Sequence, residues 1–86
     1  MKLKQEFVLR NVAGDNILIP ISSKDDSFKG IITLNETGAF IWNHIENEDE
    51  ESDIIKALMD EYEVTEEKAA SDVKNLCDKL KTLGIL

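Results

Sequence analysis

Residues 34–42, LNETGAFIW, decide how this chain folds, because a polar Asn-Glu-Thr-Gly segment separates a β-branched run from large apolar residues. Asn35 is a good N-cap, since its side-chain oxygen can accept hydrogen bonds from first-turn amides. Glu36 suits the positive end of a helix dipole. Gly38 costs roughly 1 kcal/mol of helix propensity relative to alanine, so we infer that its missing side chain lets the helix lie close to the sheet. The stretch predicts a strand ending before Asn35 and a first helix running to about Glu46.

Three strands are predicted before that helix. Residues 7–12 and 17–21 are β-branched and aliphatic runs, and residues 13–16, Ala-Gly-Asp-Asn, favour a tight hairpin turn between them. Residues 28–34 are typical of a third short strand, in which Gly30 indicates a bulge or the close approach of another backbone. Every other residue of the second strand is an isoleucine, which predicts that this face is buried. These residues are Ile17, Ile19 and Ile21.

Two more helices are predicted after the first. Ser52 is the candidate N-cap of the second, whose apolar residues recur at one helical face. Thr65 is the candidate N-cap of the third, and Gly84 is the expected residue just beyond its C-terminus. The inner face of the third helix is predicted to carry Ala69, Val73, Leu76, Leu80 and Leu83. We therefore expect an α+β, winged-helix-like fold, with a three-stranded antiparallel sheet followed by three helices, in one domain over residues 1–86.

Composition limits the function classes. A chain of 86 residues with 42% hydrophobic content forms one small core, in which a deep substrate cavity is not expected. The net charge of -8 argues against nucleic-acid binding, which depends on Lys and Arg. Between Glu46 and Glu67 lie eleven of the 18 acidic residues and a single lysine. Such a run is usually a solvated surface, and an acidic docking site is the alternative.

Targeting signals and reactive clusters are lacking in the sequence. No apolar run approaches the ~20 residues that span a bilayer, and the N-terminus lacks a secretory signal, so a cytoplasmic protein is expected. His44 and Cys77 are single residues of their types, which predicts no metal site and no cofactor. A Cys-His nucleophile pair is disfavoured because nothing in an acidic chain lowers the thiol pKa. We expect no enzyme activity.

A winged-helix DNA reader is the competing function, since three strands and three helices would also describe one. A recognition helix needs basic or amide side chains near its N-terminus. The third helix instead opens at residues 65–72 with TEEKAASD. The fold could be shared with DNA binders without their surface chemistry.

Several motifs together carry a family resemblance. The first is Leu34, Asn35, Thr37, Gly38, Ala39 and Trp42, and the second is the ending Leu80, Gly84, Ile85 and Leu86. Between them stand Ser52, Ile54, Ile55 and Asp72. In this order and spacing the chain resembles the PqqD-like family, small chaperones that recognise ribosomally made, post-translationally modified peptides. The acidic residues 46–51 depart from the shorter Gly-containing loop expected of the family, which leaves the docking surface for a partner enzyme open.

The resemblance implies a non-catalytic protein that captures the leader segment of a precursor peptide. The leader would add as a strand along the third strand, in a cleft against the third helix, and be presented to a modifying enzyme, often of the radical S-adenosylmethionine type. The predicted edge is Phe28, Lys29, Gly30, Ile31, Ile32 and Thr33, and the predicted helix wall is Ala69, Asp72, Val73, Leu76 and Cys77. Val73 and Leu76 could equally face only the core.

Strand addition is also physically reasonable, because an exposed edge offers unpaired N–H and C=O groups to an extended peptide. The same edge could pair two copies, so a monomer or an edge-paired homodimer is expected. In this interpretation residues 34–42 are scaffold around the site, and Trp42 fills the core beneath it.

Overall fold

The chain forms a three-stranded antiparallel sheet followed by three helices, which confirms the predicted α+β fold. The computed structural model describes residues 3–4, 6–21 and 31–86. The strands are β1 (Phe7–Val12), β2 (Asp15–Pro20) and β3 (Ile32–Leu34), and the helices are α1 (Glu36–Glu46), α2 (Glu51–Tyr62) and α3 (Glu66–Thr82). The sheet order is β1-β2-β3. None of the described helices is long and apolar enough to cross a membrane.

The hairpin turn between β1 and β2 is tighter than predicted. Val12 pairs with Asp15, so the loop consists of Ala13 and Gly14 alone, with φ of 54° and 90°. Two successive positive φ values match the twist of the flanking strands, and Gly14 adopts this conformation without steric cost. Asp15 therefore begins β2 instead of belonging to the turn.

The buried face of β2 is the opposite of the predicted one. Leu18 is fully buried, whereas Ile19 is 39% exposed and Ile21, just after the strand, is 56% exposed. Leu18 pairs with Ile32 of β3, which is buried as well. Alternation defines two faces but does not say which one meets the helices. Here Phe7 of β1 packs inward against Trp42, with ring centroids 5.8 Å apart, and the register carries Leu18 to the same side.

The start of α1 agrees with the prediction. The Asn35 side-chain oxygen accepts a hydrogen bond from the Gly38 amide at 2.7 Å, as an N-cap should. A Cβ placed on Gly38 would lie 3.1 Å from Asn35 Oδ1 and 3.2 Å from Leu34 Cβ. The absence of a side chain at Gly38 therefore lets the helix start against the end of β3.

The start of α2 differs from the prediction. Glu50, not Ser52, is the N-cap residue, and no side-chain hydrogen bond caps this helix. Glu48 takes a positive φ of 62° immediately after α1, which redirects the chain so that the next helix begins earlier. The Asp53 and Ile54 amides then donate to the Glu50 carbonyl oxygen at 3.0 and 3.1 Å. Backbone geometry, rather than a serine cap, sets this boundary.

Both ends of α3 confirm the prediction. Thr65 Oγ1 accepts from the Lys68 amide at 3.2 Å. At the other end Gly84 has a φ of 77°, and the Ile85 amide donates to the Leu80 carbonyl at 2.9 Å. These are features of a Schellman motif, in which a left-handed glycine satisfies the last helical carbonyls.

The core lies between the inner face of the sheet and the three helices. Trp42 is fully buried at its centre, and its indole Nε1 has no hydrogen-bond partner among the described residues. The other core residues are Phe7, Leu18, Ile32, Leu34, Ile41, Ile45, Ile54, Leu58, Ala69, Val73, Leu76, Cys77, Leu80 and Ile85. The predicted inner face of α3 is therefore buried, with Leu83 only partly so.

Candidate functional site: a cleft between the third strand and the third helix

The third strand lies at one edge of the sheet. Within the described chain it pairs only with β2, in a register that places Thr33 opposite Ile17. Ile32 and Leu34 point into the core, and Thr33 is exposed. The side of β3 away from β2 thus presents main-chain groups that a further strand could pair with.

A cleft lies beside this edge, where β3, α1 and α3 meet, and α1 packs against both of the other elements. The cleft holds a cavity of about 210 Å³, and the residues around it come from the end of β3, the start of α1 and the middle of α3. They are Thr33, Leu34, Asn35, Thr37, Gly38, Ile41, Asp72 and Leu76. We call this cavity the β3–α3 cleft.

The cleft combines an apolar floor with a polar rim. Leu34, Ile41 and Leu76 are nearly or fully buried and supply the floor. On the rim, Asp72 Oδ1 accepts a hydrogen bond from Lys68 Nζ at 2.9 Å. This pair lies four residues apart on the exposed side of α3, where such ion pairs are weak. Because this ion pair is weak, Lys68 would leave Asp72 at little cost, and the carboxylate would then be free to contact a ligand.

On the opposite rim Asn35 holds the start of α1. Its Oδ1 accepts from the Gly38 amide and, at 3.4 Å, from Thr37 Oγ1. Small polar groups over an apolar floor are the composition expected of a site that orients a ligand with few hydrogen bonds and holds it by hydrophobic contact.

The predicted site residues divide into four groups. Thr33, Asp72 and Leu76 line the cleft together. Ile32, Ala69, Val73 and Cys77 are buried in the core and do not line it, while Ile31 is 62% exposed on the outer side of the sheet. Phe28, Lys29 and Gly30 lie outside the described residues.

Five residues that line the cleft are not among the site residues predicted from the sequence. They are Leu34, Asn35, Thr37, Gly38 and Ile41. All belong to the LNETGAFIW stretch, which the sequence predicts to be scaffold around the site. The signal in the sequence was the junction between β3 and α1. A residue that ends an edge strand and also caps the next helix must lie at the mouth of any cleft that opens between that strand and that helix.

Reactive groups elsewhere do not assemble into a catalytic centre within the described residues. Burial, followed by the nearby Glu51 carboxylate, raises the pKa of the Cys77 thiol from 9.0 to about 11, which disfavours the thiolate that nucleophilic chemistry needs. His44 Nδ1 lies 2.7 Å from Asp49 Oδ2, so this histidine ties the end of α1 to the following loop. Among the described residues no group of His, Cys, Asp and Glu could hold a metal ion.

A second cavity of about 270 Å³ lies near the start of β1. It is lined by Leu3, Glu6, Phe7, Ile21 and Glu46. Two of these residues are carboxylates, and none belongs to β3 or α3. The β3–α3 cleft is the candidate site because it alone of the two adjoins the edge of β3.

The fold and cleft define a small α+β domain that presents a strand edge beside a helix. The family model for coenzyme PQQ synthesis protein D (PqqD) matches residues 6–86, and the chain belongs to this family. Among solved structures it is similar to one described as TbiB1 in complex with the TbiA(beta) leader peptide. That similarity has a TM-score of 0.76 and 20% identity, and it covers 100% of this chain and 94% of the other. No curated protein gave a significant match.

Proposed function

We propose that this protein binds the leader segment of a ribosomally made precursor peptide in the β3–α3 cleft and presents it to a modifying enzyme. The observation that carries the proposal is the edge of β3, which borders a cavity with an apolar floor and a polar rim. Membership of the PqqD family supports it. So does the similarity in fold to a protein whose structure contains a leader peptide.

The leader would bind as an added strand. Its main chain would pair with the outer edge of β3, and alternate side chains would enter the cleft toward Leu76 or point to solvent. The exposed Thr33 and the rim carboxylate of Asp72 would contact polar groups of the peptide. Three residues of β3 offer few main-chain bonds, so residues next to the strand, Ile31 first, would have to extend the pairing.

The magnitudes show that both kinds of contact are needed. About three apolar anchors would contribute roughly 1.5–3 kcal/mol each, and ordering a disordered leader costs about 2–5 kcal/mol. Micromolar affinity needs about 8 kcal/mol. Side-chain anchors alone, less this ordering cost, fall short of it throughout the range, and main-chain hydrogen bonds at about 1 kcal/mol each would supply the difference.

The protein itself would carry out no chemistry in this proposal. The raised pKa of Cys77 supports that view, since a buried neutral thiol is a poor nucleophile. The modifying enzyme would be of the radical S-adenosylmethionine type that often accompanies such proteins, and the encounter would take place in the cytosol, where precursor peptides are made.

The test is an amide-resolved NMR titration of the isotopically labelled protein with synthetic leader peptides encoded by short open reading frames near its gene. We expect shifts at Ile31, Ile32 and Thr33 and around the cleft at Thr37 and Asp72. An unchanged spectrum with every peptide, both alone and with the neighbouring modifying enzyme added, would contradict the proposal.

A matched pair of variants tests the strand addition. Ile31→Pro removes an amide N–H next to β3 and fixes φ, whereas Ile31→Thr keeps the N–H and the β-branched shape. We expect the proline variant to lose leader binding and the threonine variant to keep most of it, with both showing wild-type helical circular dichroism. Equal affinities for the two variants would rule out pairing at this residue.

A further inference from the structure

Asp72 gives the β3–α3 cleft its charge. Among the described residues that line the cleft, it alone has an ionisable side chain, so the lining carries one formal negative charge. The Asp72 side chain is 22% exposed, whereas the side chain of its partner Lys68 is 63% exposed. Lys68 itself does not line the cleft. The carboxylate therefore lies at the cleft, and its counter-charge lies outside it, toward solvent.

The ion pair between Lys68 and Asp72 leaves the carboxylate available to another cation. The lysine precedes the aspartate along α3, which is the less favourable order for two opposite charges four residues apart on a helix. Lys68 Nζ bonds to Oδ1, and Asp72 Oδ2 has no hydrogen-bond partner in the part of the chain that the structure describes. A ligand cation can therefore bind Oδ2 directly, or both oxygens once Lys68 has moved away.

An apolar surface lies next to this carboxylate. Leu76 follows Asp72 by one helical turn, and Leu34 and Ile41 complete the floor of the cleft. Lysine and arginine side chains cover such a surface with their methylene groups while the charged end reaches a polar partner. A wholly aliphatic side chain would cover the floor but would displace water from Asp72 without replacing its hydrogen bonds. A carboxylate would be repelled, so the cleft is complementary to a basic side chain.

The volume of the cleft suits one side chain of a peptide. At about 210 Å³ it is smaller than the ~300–1,000 Å³ of typical sites for free small molecules. Successive side chains of an added strand point to opposite faces. One residue of the peptide therefore enters the cavity, while the residues before and after it point away. The residue that enters decides the match with Asp72.

The charge of the whole protein favours the same class of ligand. The net charge is -8, and residues 36–86, which include all three helices, carry 14 acidic and five basic side chains. Two walls of the cleft, α1 and α3, belong to this acidic part. A field of one sign raises the local concentration of oppositely charged ligands and speeds their association. Cationic peptides therefore reach the cleft more readily than acidic ones.

We propose that the leader segment bound in the β3–α3 cleft carries a basic residue, arginine or lysine, at the position that enters the cavity. Its methylene groups lie on Leu76 and Ile41, and its charged end replaces Lys68 at Asp72. Arginine matches best, because its planar guanidinium pairs with both oxygens of a carboxylate. The inference rests on the proposed function and makes Asp72 the residue that selects among leader peptides.

The experiment compares short, capped threonine–valine peptides that differ only at the central residue, which is arginine, citrulline or glutamate. Citrulline has the length and the planar hydrogen-bonding end of arginine but no charge. Each peptide is titrated into isotopically labelled protein, and the dissociation constant is taken from the amide shifts of Asp72 and Leu76. We expect the arginine peptide to bind about tenfold more tightly than the citrulline peptide. The glutamate peptide should bind most weakly, and the preference should shrink as salt is added.

Variants on α3 separate a direct contact from a general effect of charge. Asp72→Asn should abolish the preference for arginine over citrulline, and Asp72→Lys should reverse it in favour of glutamate. Asp78→Asn makes the same change of charge away from the cleft and should preserve the preference. Lys68→Gln should strengthen binding of the arginine peptide roughly twofold, because no lysine then competes for Asp72. Lys74→Gln, the matched change elsewhere on exposed α3, should leave the affinity unaltered.

The outcomes separate this inference from the proposed function. The inference is overturned if the arginine and citrulline peptides bind equally, if their difference persists in Asp72→Asn, or if the arginine peptide shifts no resonance of the cleft. It is also overturned if a leader peptide encoded near the gene binds but has neither arginine nor lysine in the segment that pairs with β3, and the proposed function then stands. A preference for arginine that depends on Asp72, with no binding of any encoded leader, would contradict the proposed function alone.

Discussion

The two ends of α1 meet the rest of the protein differently. Toward its C-terminus Trp42 and Ile45 are fully buried, and the Trp42 ring packs edge-on against Phe7. Toward its N-terminus Thr37 and Gly38 line the β3–α3 cleft. One helix therefore closes the core at one end and keeps a cavity open at the other. A domain of this size can thus keep an open cleft at one end of a helix whose other end is fully buried in the core.

The largest expected effect is at the closed end. Trp42→Ala should lower the free energy of unfolding by about 3–5 kcal/mol, because it leaves a large cavity at the centre of the core. That is a large part of the ~4–13 kcal/mol expected for a chain of this length. Urea unfolding followed by circular dichroism measures the loss. Asn43→Ala on the exposed side of α1 is the control and should change stability by less than about 0.5 kcal/mol.

A second effect concerns the closed side of α3. Because burial and Glu51 raise the pKa of Cys77 to about 11, alkylation should be slow at neutral pH and should keep rising with pH up to about 11, whereas a thiol of pKa 9.0 would level off near pH 9. Relative to a thiol of pKa 9.0, about a hundredfold less thiolate is present at neutral pH. The folded-state pKa is raised, so this group's contribution to stability is complete below pH 9 and is lost as pH rises through about 11.

The control for Cys77 is the same alkylation in concentrated urea, where the thiol should react with its ordinary pH profile. Rapid reaction of the folded protein near pH 7 would show that this part of α3 is as open as the cleft. The distinction between a closed core side and an open cleft side would then not hold for α3.

A smaller effect is expected at the open end. Gly38→Ala should destabilise the protein by about 1–3 kcal/mol, since the new Cβ would meet Asn35 Oδ1 and Leu34 Cβ at 3.1 and 3.2 Å. Helix propensity alone favours alanine by roughly 1 kcal/mol, so the sign of the change in the free energy of unfolding distinguishes a packing effect from a propensity effect. Ser71→Ala on the exposed face of α3 is the control. It raises helix propensity without creating a new packing contact, so it should be neutral or stabilising. A more stable Gly38→Ala protein would mean that the helix start can move away from β3.

The smallest effect on stability is expected on the rim of the cleft. Asp72→Asn removes one partner of an exposed ion pair and should alter the free energy of unfolding by less than about 0.5 kcal/mol. If Asp72 contacts a leader peptide, the same change should weaken peptide binding by roughly tenfold. Asp78→Asn, an exposed change on α3 away from the cleft, should leave binding unaltered. Equal binding by both variants would remove Asp72 from the site.

Several parts of the fold could be predicted because their signals are local. Asn35 and Thr65 cap α1 and α3 as expected, and Gly84 ends α3 with a positive φ. Ser52 failed as a cap because the chain after α1 turns at Glu48 in a left-handed conformation that the sequence did not indicate. Capping is therefore predictable where the cap makes the side-chain hydrogen bond, and not where the preceding turn sets the boundary.

The candidate site was only partly predictable. Thr33, Asp72 and Leu76 meet in the cleft as the resemblance implied, but the contribution of α1 was missed. The prediction that the alternating isoleucines face the core is wrong, although the alternation itself is correct. A pattern with period two defines which residues share a face, and only the position of the helices decides which face is covered.

By itself, the sequence determined the order of the elements, the caps at Asn35 and Thr65, and the family, because these depend on neighbours close along the chain and on the spacing of short motifs. Only the tertiary structure decided that Leu18 would be buried and Ile19 exposed, and that Asn35 and Gly38 would border a cavity together with Asp72. The reason is physical: hydrogen bonds within a turn are local, whereas burial depends on which distant elements come to pack against a given face.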